Sequence, residues 1–226
     1  MATLSPEGVR RVGRSGWAWT KGALGTPDQS NPSNGSAQPV DPDRAWTQTF
    51  RAGATGLLTQ VDLPIYLEQN RDNPTVPGDL TVTIQEAQSA TVHVSNGYDY
   101  DDSGTLPVPA GSVFARTNVP ASRIVEMPDP GNPPPPLHIS FLLPPLLIKG
   151  HTYAIVVVST GTARHNWLVS QTTDVNPYPN GNMLFQFDGS NSEWYNYTYQ
   201  PYAGAPHISY VEAAFTTFML PSLPIP

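Results

Sequence analysis

The chain has 226 residues, a formal net charge of −7, 13% charged residues, 26 prolines and no cysteine. The lack of cysteine excludes disulfides, thiolate metal sites and a cysteine nucleophile. The proline content argues against long surface helices, and the length permits one large β domain or two small ones. We therefore expect a loop-rich β protein.

The first 44 residues predict an extended N-terminal arm. After Trp17 and Trp19 they hold few core-forming residues, and the Ser, Asn, Pro, Asp and Gly run that begins at Gly25 has no strand or helix period. No apolar segment follows the arginines of residues 1–15. We therefore expect synthesis in a cytoplasm without a secretory signal.

The predicted arm is basic, whereas the rest of the chain is acidic. Residues 1–21 carry Arg10, Arg11, Arg14 and Lys21 against Glu7, a net charge of +3 that leaves −10 for the remainder. A nucleic-acid binder needs its basic surface on the folded body, so this distribution argues against that class. It predicts that the arm lies on an acidic protein neighbour. A disordered tail without a partner is the alternative.

Alternating apolar residues predict a folded body over residues 45–219. In its first half, period-two patterns bounded by Gly, Pro and Asn indicate strands at residues 46–50, 57–67, 80–84, 91–94, 113–116 and 124–127. Residues 129–136 end in four consecutive prolines and predict a stiff, extended loop.

Residues 137–159 are the most apolar stretch of the chain and predict two core strands. Apolar residues alternate on both sides of a Lys149-Gly150 corner. The stretch does not predict a membrane span, because Pro144, Pro145, Lys149 and His151 interrupt it well below the roughly 18 apolar residues that a span needs.

Further strands are indicated at residues 167–170, 183–187, 193–199 and 208–219, followed by a proline-rich tail at residues 220–226. No segment has a 3.6-residue apolar period over three turns. About ten short strands at these spacings predict an all-β fold, an antiparallel β-sandwich of jelly-roll type.

Three motifs occur in order along the predicted body. A Trp-x-Gln-x-Phe strand begins at Trp46, a Gly-x-x-Tyr-Ala-Ile-Val strand begins at Gly150, and a Pro-Tyr-x-x-Gly loop at residues 177–181 precedes a hairpin with Trp194. Over residues 45–219 this order resembles the choice-of-anchor R type of β-sandwich module, found in bacterial surface proteins and in phage tail and capsid proteins. The resemblance implies a phage virion component without shared catalytic residues.

Residues 99–104 match the opening of a calcium-binding loop. Asp99, Asp101 and Ser103 supply oxygen ligands at alternate positions, and Gly104 permits a tight turn. The twelfth position of such a loop is Ala110, which has no carboxylate. We therefore expect a solvated polar loop, with an irregular calcium site as the alternative and no other metal or cofactor.

The aromatic hairpin of residues 194–199 predicts a binding surface. Strand alternation places Tyr195, Tyr197 and Tyr199 on one face and Trp194 on the other. Such a row serves an oligomer interface or a sugar-binding platform. For the platform, the nearby residues that contribute further contacts are Tyr202, Asp188, Asn191 and Asn196.

The sequence contains no motif of a common catalytic or nucleotide-binding site. The five histidines, His93, His138, His151, His165 and His207, have no zinc-ligand spacing. A Gly-x-Ser-x-Gly elbow and a phosphate-binding loop are also missing. We therefore predict that the protein is not an enzyme.

These observations predict a virion structural protein, a capsid decoration or cement protein. Its arm, with Arg10, Arg11, Arg14, Trp17, Trp19 and Lys21, is expected to bind the major capsid protein. Its sandwich is expected to form a homotrimer, without direct contact with nucleic acid or membrane. The alternative is a tail-fibre or surface adhesin module that binds host glycans through the aromatic hairpin. A polysaccharide-degrading enzyme is a third hypothesis, but the sequence gives no sign of the paired catalytic carboxylates that it requires.

Overall fold

The computed structural model describes residues 9–11, 17–19, 25–40, 43–67, 78–94, 102–126, 135–187, 193–199 and 209–221. Within these ranges the chain forms strands, loops and one short 3-10 helix, Ala121–Arg123, and no α-helix. The strands are β1 (Val9–Arg11), β2 (Trp17–Trp19), β3 (Thr26–Asn31), β4 (Ser36–Val40), β5 (Arg44–Arg51), β6 (Gly56–Leu63), β7 (Ile65–Leu67), β8 (Leu80–Val94), β9 (Asp102–Val119), β10 (Leu137–Ser140), β11 (Leu146–Leu147), β12 (Thr152–Ser159), β13 (His165–Thr173), β14 (Met183–Phe187), β15 (Tyr195–Asn196), β16 (Thr198–Tyr199), β17 (Ser209–Ala213) and β18 (Phe215–Pro221).

One layer of the fold is a six-stranded sheet in the order β12-β5-β14-β15-β8-β9. The long strand β8 pairs with β12 through its first seven residues and with β15 at His93 and Val94. The pairings from β8 through β12, β5, β14 and β15 therefore return to β8 and form a closed circuit. Among the named pairs of the described strands, only β15–β8 is parallel.

The other layer consists of two antiparallel sheets that are joined by direct connections of the chain. The second sheet has the order β10-β6-β18-β3, and the third has the order β16-β17-β13-β4. The chain passes directly from one sheet to the other at Pro64, between β6 and β7, and at Ala214, between β17 and β18. Proline lacks the amide hydrogen that a continuous ladder needs, which explains the first break.

The main core lies between these layers, because all three sheets contribute apolar side chains to one cluster. Trp46 and Ile155 come from the first sheet, Leu58 and Ile139 from the second, and Trp167 from the third, and all are fully buried. Residues that alternate in the sequence alternate between this core and the opposite face of each strand. On β14, for example, Met183 and Phe185 join the main core, and Leu184 packs with Val92, Val108 and Trp194 in a second cluster.

The structure confirms the prediction of an all-β, antiparallel, sandwich-like fold. The two predicted strands of the central stretch are present as β10 and β12, but β10 belongs to the second sheet and β12 to the first, and the short strand β11 lies between them. The predicted short strands at residues 91–94 and 113–116 are wrong as separate elements, because they are parts of the long hairpin β8–β9. At residues 124–127, Glu126 forms only an isolated bridge with Leu67.

The prediction of an extended arm up to residue 44 is wrong for residues 26–40. Strand β3 pairs with β18, and β4 pairs with β13, so both belong to the sheets. Composition missed them because most of their side chains are polar, and only Val40 of these two strands joins the main apolar core. At the other end, Leu220 and Pro221 are the last residues of β18, and the rest of the predicted tail lies outside the described residues.

One edge strand in each of the three sheets of the sandwich contains proline. Pro107 and Pro109 lie on β9, Pro27 lies on β3, and Pro39 lies on β4. Each of these strands is the last in its pairing order. Proline is tolerated at an edge, where its missing amide hydrogen faces away from the neighbouring strand.

Candidate functional site

The predicted aromatic hairpin forms a stack of rings around Tyr195. The ring centroid of Tyr195 lies 4.7 Å from that of His93 and 5.3 Å from that of Phe185, with interplanar angles of 18° and 19°. Strand β15 lies between β8 and β14, so the two neighbours cover opposite faces of the Tyr195 ring. Tyr195 therefore presents its edge and its hydroxyl group, which donates to Glu193 Oε2 at 3.4 Å.

Charged groups surround this stack. The Arg44 guanidinium lies 4.9 Å from the ring centroid of Phe187 and 5.5 Å from that of Phe185. On the other side, His93 Nε2 lies 3.6 Å from Glu193 Oε2. The arrangement combines an exposed aromatic ring, Phe187, with a carboxylate, a guanidinium and an imidazole.

The remaining residues predicted for the hairpin have different surroundings. Trp194 is buried in the second cluster, on the face opposite to Tyr195. Tyr197 is partly buried against the main core, with its ring centroid 5.3 Å from that of Trp46. Asn196 is buried, and Tyr199 ends β16, with its side chain outside the described part. Tyr202, Asp188 and Asn191 also lie outside the described residues.

The predicted partner-binding residues of the arm lie in a separate hairpin. Strands β1 and β2 pair with each other, with Val9 opposite Trp19 and Arg11 opposite Trp17. Their two-stranded sheet has no pairing with the three sheets of the sandwich in the described chain. Arg14 and Lys21 lie outside the described residues.

The candidate calcium loop is only partly described. Ser103 lies on β9 opposite His93, and Asp99 and Asp101 lie outside the described residues. In the part of the chain that the structure describes, no group of three His, Asp or Glu side chains is placed to hold a metal ion.

One pair of potentially catalytic residue types is in contact but sealed in the interior. His165 Nδ1 lies 3.2 Å from Ser159 Oγ, and both residues are buried. Burial lowers the pKa of His165. A substrate cannot reach this pair without opening the sandwich, so we assign it to the core.

A buried carboxyl group lies where the sheets meet, and sequence patterns did not indicate it. Glu212 Oε2 accepts a hydrogen bond from Gln48 Nε2 at 2.9 Å, and Oε1 accepts one from Asn176 Nδ2 at 3.3 Å. Asn31 Nδ2 donates to the backbone oxygens of Glu212 and Ala213 at 3.2 and 2.9 Å. Burial raises the pKa of Glu212 to about 8. The network connects β3, β5 and β17, one strand from each sheet.

Five leucines form an exposed apolar surface on the edge and outer face of the second sheet. Leu57 lies opposite Leu146 on one side and Leu220 on the other, and Leu142 and Leu143 protrude between β10 and β11. The exposed fractions are 94% for Leu142, 80% for Leu143, 55% for Leu146, 43% for Leu220 and 40% for Leu57. We call these five residues the leucine surface, and we call Leu142 and Leu143 its tip.

Backbone contacts on both sides hold the tip in place. The Phe141 amide donates to Thr59 O at 3.4 Å, and the Leu58 amide donates to Pro145 O at 2.9 Å. The strand neighbouring β6 therefore bulges outward between these two bonds. The consecutive leucines before Pro144 were the sequence signal for this surface, because two adjacent strand residues cannot both face the core.

Basic residues lie at both ends of this edge. Arg123 Nη2 donates to His138 O at 2.9 Å, next to the start of β10. Beyond β11, Arg51 Nε donates to Gly150 O at 2.9 Å, and Lys149 is exposed. The edge beyond β11 is thus positive, whereas at the start of β10 the Asp62 carboxylate also lies near, 2.8 Å from His138 Nδ1.

A cleft of about 240 Å³ opens where the second and third sheets meet. Its apolar lining consists of Pro32, Pro64, Pro136, Leu168, Ala214 and Phe215. The polar part of the lining includes Asp62, whose Oδ1 lies 2.8 Å from His138 Nδ1.

Comparisons with known proteins leave the chain without an assigned family. No protein-family model matches it, and no curated protein sequence matches it. The resemblance to choice-of-anchor R modules therefore stays a prediction. No helix within the described ranges is long and apolar enough to cross a membrane.

Proposed function

We propose that this chain is a structural protein of a phage particle that works by adhesion, as a capsid decoration or cement protein. In this proposal its sandwich is of jelly-roll type, its copies associate through the sandwich, and its N-terminal hairpin attaches to the major capsid protein. The site of action is then the virion.

The leucine surface is the observation that carries this proposal. Monomeric soluble proteins rarely leave a contiguous set of large apolar side chains in water, and such patches usually mark an interaction site. Covering a leucine stabilises a contact by roughly 25 cal/mol per Å² of apolar area removed from water. An adhesive protein needs such a surface, whereas an isolated globular enzyme does not.

The hairpin β1–β2 supports the second part of the proposal. A two-stranded hairpin is at best marginally stable alone in water, so contact with a partner would stabilise it. Its register makes neighbours of Arg11 and Trp17, and of Val9 and Trp19. Tryptophan and arginine are residue types that are enriched at protein interfaces.

Capsid co-sedimentation with a chain that begins at Gly25 tests this function. Removal of residues 1–24 leaves every strand from β3 onward in place, so the body should fold and associate but no longer bind capsids. Replacement of Arg10 and Arg11 by Gln is the milder companion variant and should weaken binding in a salt-dependent way. Full capsid occupancy by the shortened chain would refute the assignment.

A glycan-binding adhesin is the second candidate, and the exposed Phe187 ring favours it, because it lies 5.4 Å from the Tyr195 ring and 4.9 Å from the Arg44 guanidinium. Aromatic faces together with charged hydrogen-bonding groups are suited to a sugar. Because Trp194 is buried and Tyr195 is covered on both faces, the informative variant is Phe187→Ala. It should abolish glycan-array binding if this candidate is correct, and Val175→Ala, at another exposed apolar position, is the matched control.

A further inference from the structure

We propose that the leucine tip of one copy of this chain inserts into the proline-lined cleft of a second copy. The inference rests on the proposed adhesive role of the leucine surface and names its partner. Tip and cleft are different surfaces of the same chain, so the contact between copies is head-to-tail. Such a contact generates a closed ring when repeated rotation from one copy to the next returns to the first copy. A trimer is one such ring.

The shape of the tip requires a partner with a hollow. Leu142 and Leu143 are adjacent and more exposed than any other large apolar residue in the described part. They therefore protrude and cannot be covered by a flat surface alone. Pro144 and Pro145 follow directly and offer no amide hydrogens. The contact must then be made by side chains rather than by strand addition.

The cleft has the size and lining that the tip needs. A cavity of about 150 Å³ accommodates a benzene-sized apolar group, so the volume of about 240 Å³ leaves room for a leucine side chain. Three of its apolar lining residues are prolines, whose rigid rings lose little conformational entropy when they are covered.

Charge favours a second copy over an uncharged partner. Arg51 and Lys149 lie beyond β11, on the side of the tip away from the cleft residue Pro136, and each copy carries a net charge of −7. The cleft itself includes the carboxylate of Asp62. A positive edge approaching an otherwise acidic copy is attracted to it, and the attraction weakens as salt screens it.

Sedimentation velocity of the purified full chain, without capsids, tests the contact. The native chain should associate, and Leu142→Ser combined with Leu143→Ser should weaken association about a hundredfold. Pro136→Trp, at the exposed rim of the cleft, should do the same, and Thr216→Trp is a second variant for blocking the cleft. Val175→Ser, which removes an exposed apolar residue elsewhere, should leave association unchanged.

Mixing the variants gives the decisive result. The tip variant keeps an open cleft and Pro136→Trp keeps an intact tip, so an equimolar mixture should form dimers of one copy of each, although neither associates alone. A native chain that is monomeric at high micromolar concentration overturns the inference. So does a folded tip variant that still associates, or a mixture that stays monomeric.

Two further outcomes identify a different partner. Tip-dependent binding to vesicles of anionic lipid, with a monomeric native chain, would assign the tip to a membrane. Tip-dependent capsid binding with a monomeric native chain would assign the tip to the capsid; it would leave the proposed attachment to capsids standing but refute the proposed association of copies. In both cases the contact between copies is refuted.

Discussion

Gln48 and Glu212 are 164 positions apart in the chain, and a hydrogen bond of 2.9 Å joins their side chains inside the sandwich. Gln48 also accepts a hydrogen bond from the Ala213 amide at 2.7 Å through its Oε1. It thereby fixes β17 against β5, on the opposite layer. The Glu212 carboxyl accepts hydrogen bonds from the side-chain amides of Gln48 and Asn176 and from the Met183 backbone amide.

We predict that Glu212 makes stability fall as pH rises. Its pKa is raised from 4.5 to about 8 by burial, so the unfolded state releases the proton at a lower pH than the folded state does. The contribution of Glu212 to the free energy of unfolding is greatest below about pH 4.5 and decreases up to about pH 8. Each pKa unit corresponds to about 1.4 kcal/mol, so the loss by pH 7 is about 3 kcal/mol.

Urea unfolding of the native chain and of Glu212→Gln at several pH values tests this prediction. The variant should lose the decline and should be the more stable protein at pH 8, because glutamine does not ionise. Glu193→Gln removes an exposed carboxylate and is the matched control. Parallel pH profiles for the native chain and Glu212→Gln would contradict a buried, protonated Glu212.

His165 should produce the opposite dependence on the acid side. Burial lowers its pKa below 6.5, so the unfolded state takes up a proton first as the pH falls. The free energy of unfolding should therefore decrease as the pH falls below about 6.5. In a Glu212→Gln background, His165→Gln should flatten this limb while His151→Gln, at an exposed position, does not. An equal acid limb in all three proteins would refute the prediction.

Gly181→Ala should destabilise the protein by about 3 kcal/mol, because the new Cβ has no space. A Cβ at Gly181 would lie 1.8 Å from Thr49 O, and this loop is held on β5 by a 3.0 Å bond from the Thr49 amide to Asn182 O. Gly35→Ala is the control, because a Cβ there meets no atom and only the positive φ of 98° disfavours it. This backbone strain should destabilise the protein by about 1 kcal/mol. Equal decreases in unfolding temperature for Gly181→Ala and Gly35→Ala would show that the backbone contact at Gly181 is unimportant.

Truncation separates the hairpin from the body. A chain that begins at Gly25 should unfold at the same temperature as the full chain, since β1 and β2 pair only with each other among the described strands. A chain that begins at residue 41 should be insoluble or strongly destabilised. It lacks β3 and β4, the buried Asn31 amide and the 3.0 Å bond from the Tyr178 hydroxyl to Gln29 Oε1. Equal thermal transitions for both truncations would place β3 and β4 outside the cooperative unit.

Side-chain periodicity was sufficient to predict strands that direct every second large side chain into the core. Trp46, Gln48 and Phe50 alternate in the sequence and lie on β5 with their side chains buried in the sandwich. The same is true of Tyr153, Ile155 and Val157 on β12. In these strands the pattern is strong because the neighbours on both sides are other strands of the sheet.

Edge strands and long-range contacts escaped prediction for a physical reason. Pro107 and Pro109 on β9 look like breakers in a sequence, but they pair opposite Ser89 and Ala87 because β9 is an edge strand. The pairing that makes Glu212 a buried residue depends on Gln48, far away in the chain. The Pro-Tyr-x-x-Gly motif indicated a loop in the sequence, but it did not indicate the close approach of Gly181 to β5.

The positions of the prolines have a consequence for solubility. A protein with exposed leucines is prone to aggregate. The addition of a strand of one chain to the sheet edge of another is the route that leads to amyloid. In this molecule the edge strands β3, β4 and β9 each contain proline. The closed circuit of pairings through β15 also reduces the number of unpaired strand edges in the first sheet. The exposed leucine side chains therefore lie in a protein whose strands β3, β4 and β9 resist strand addition at the backbone.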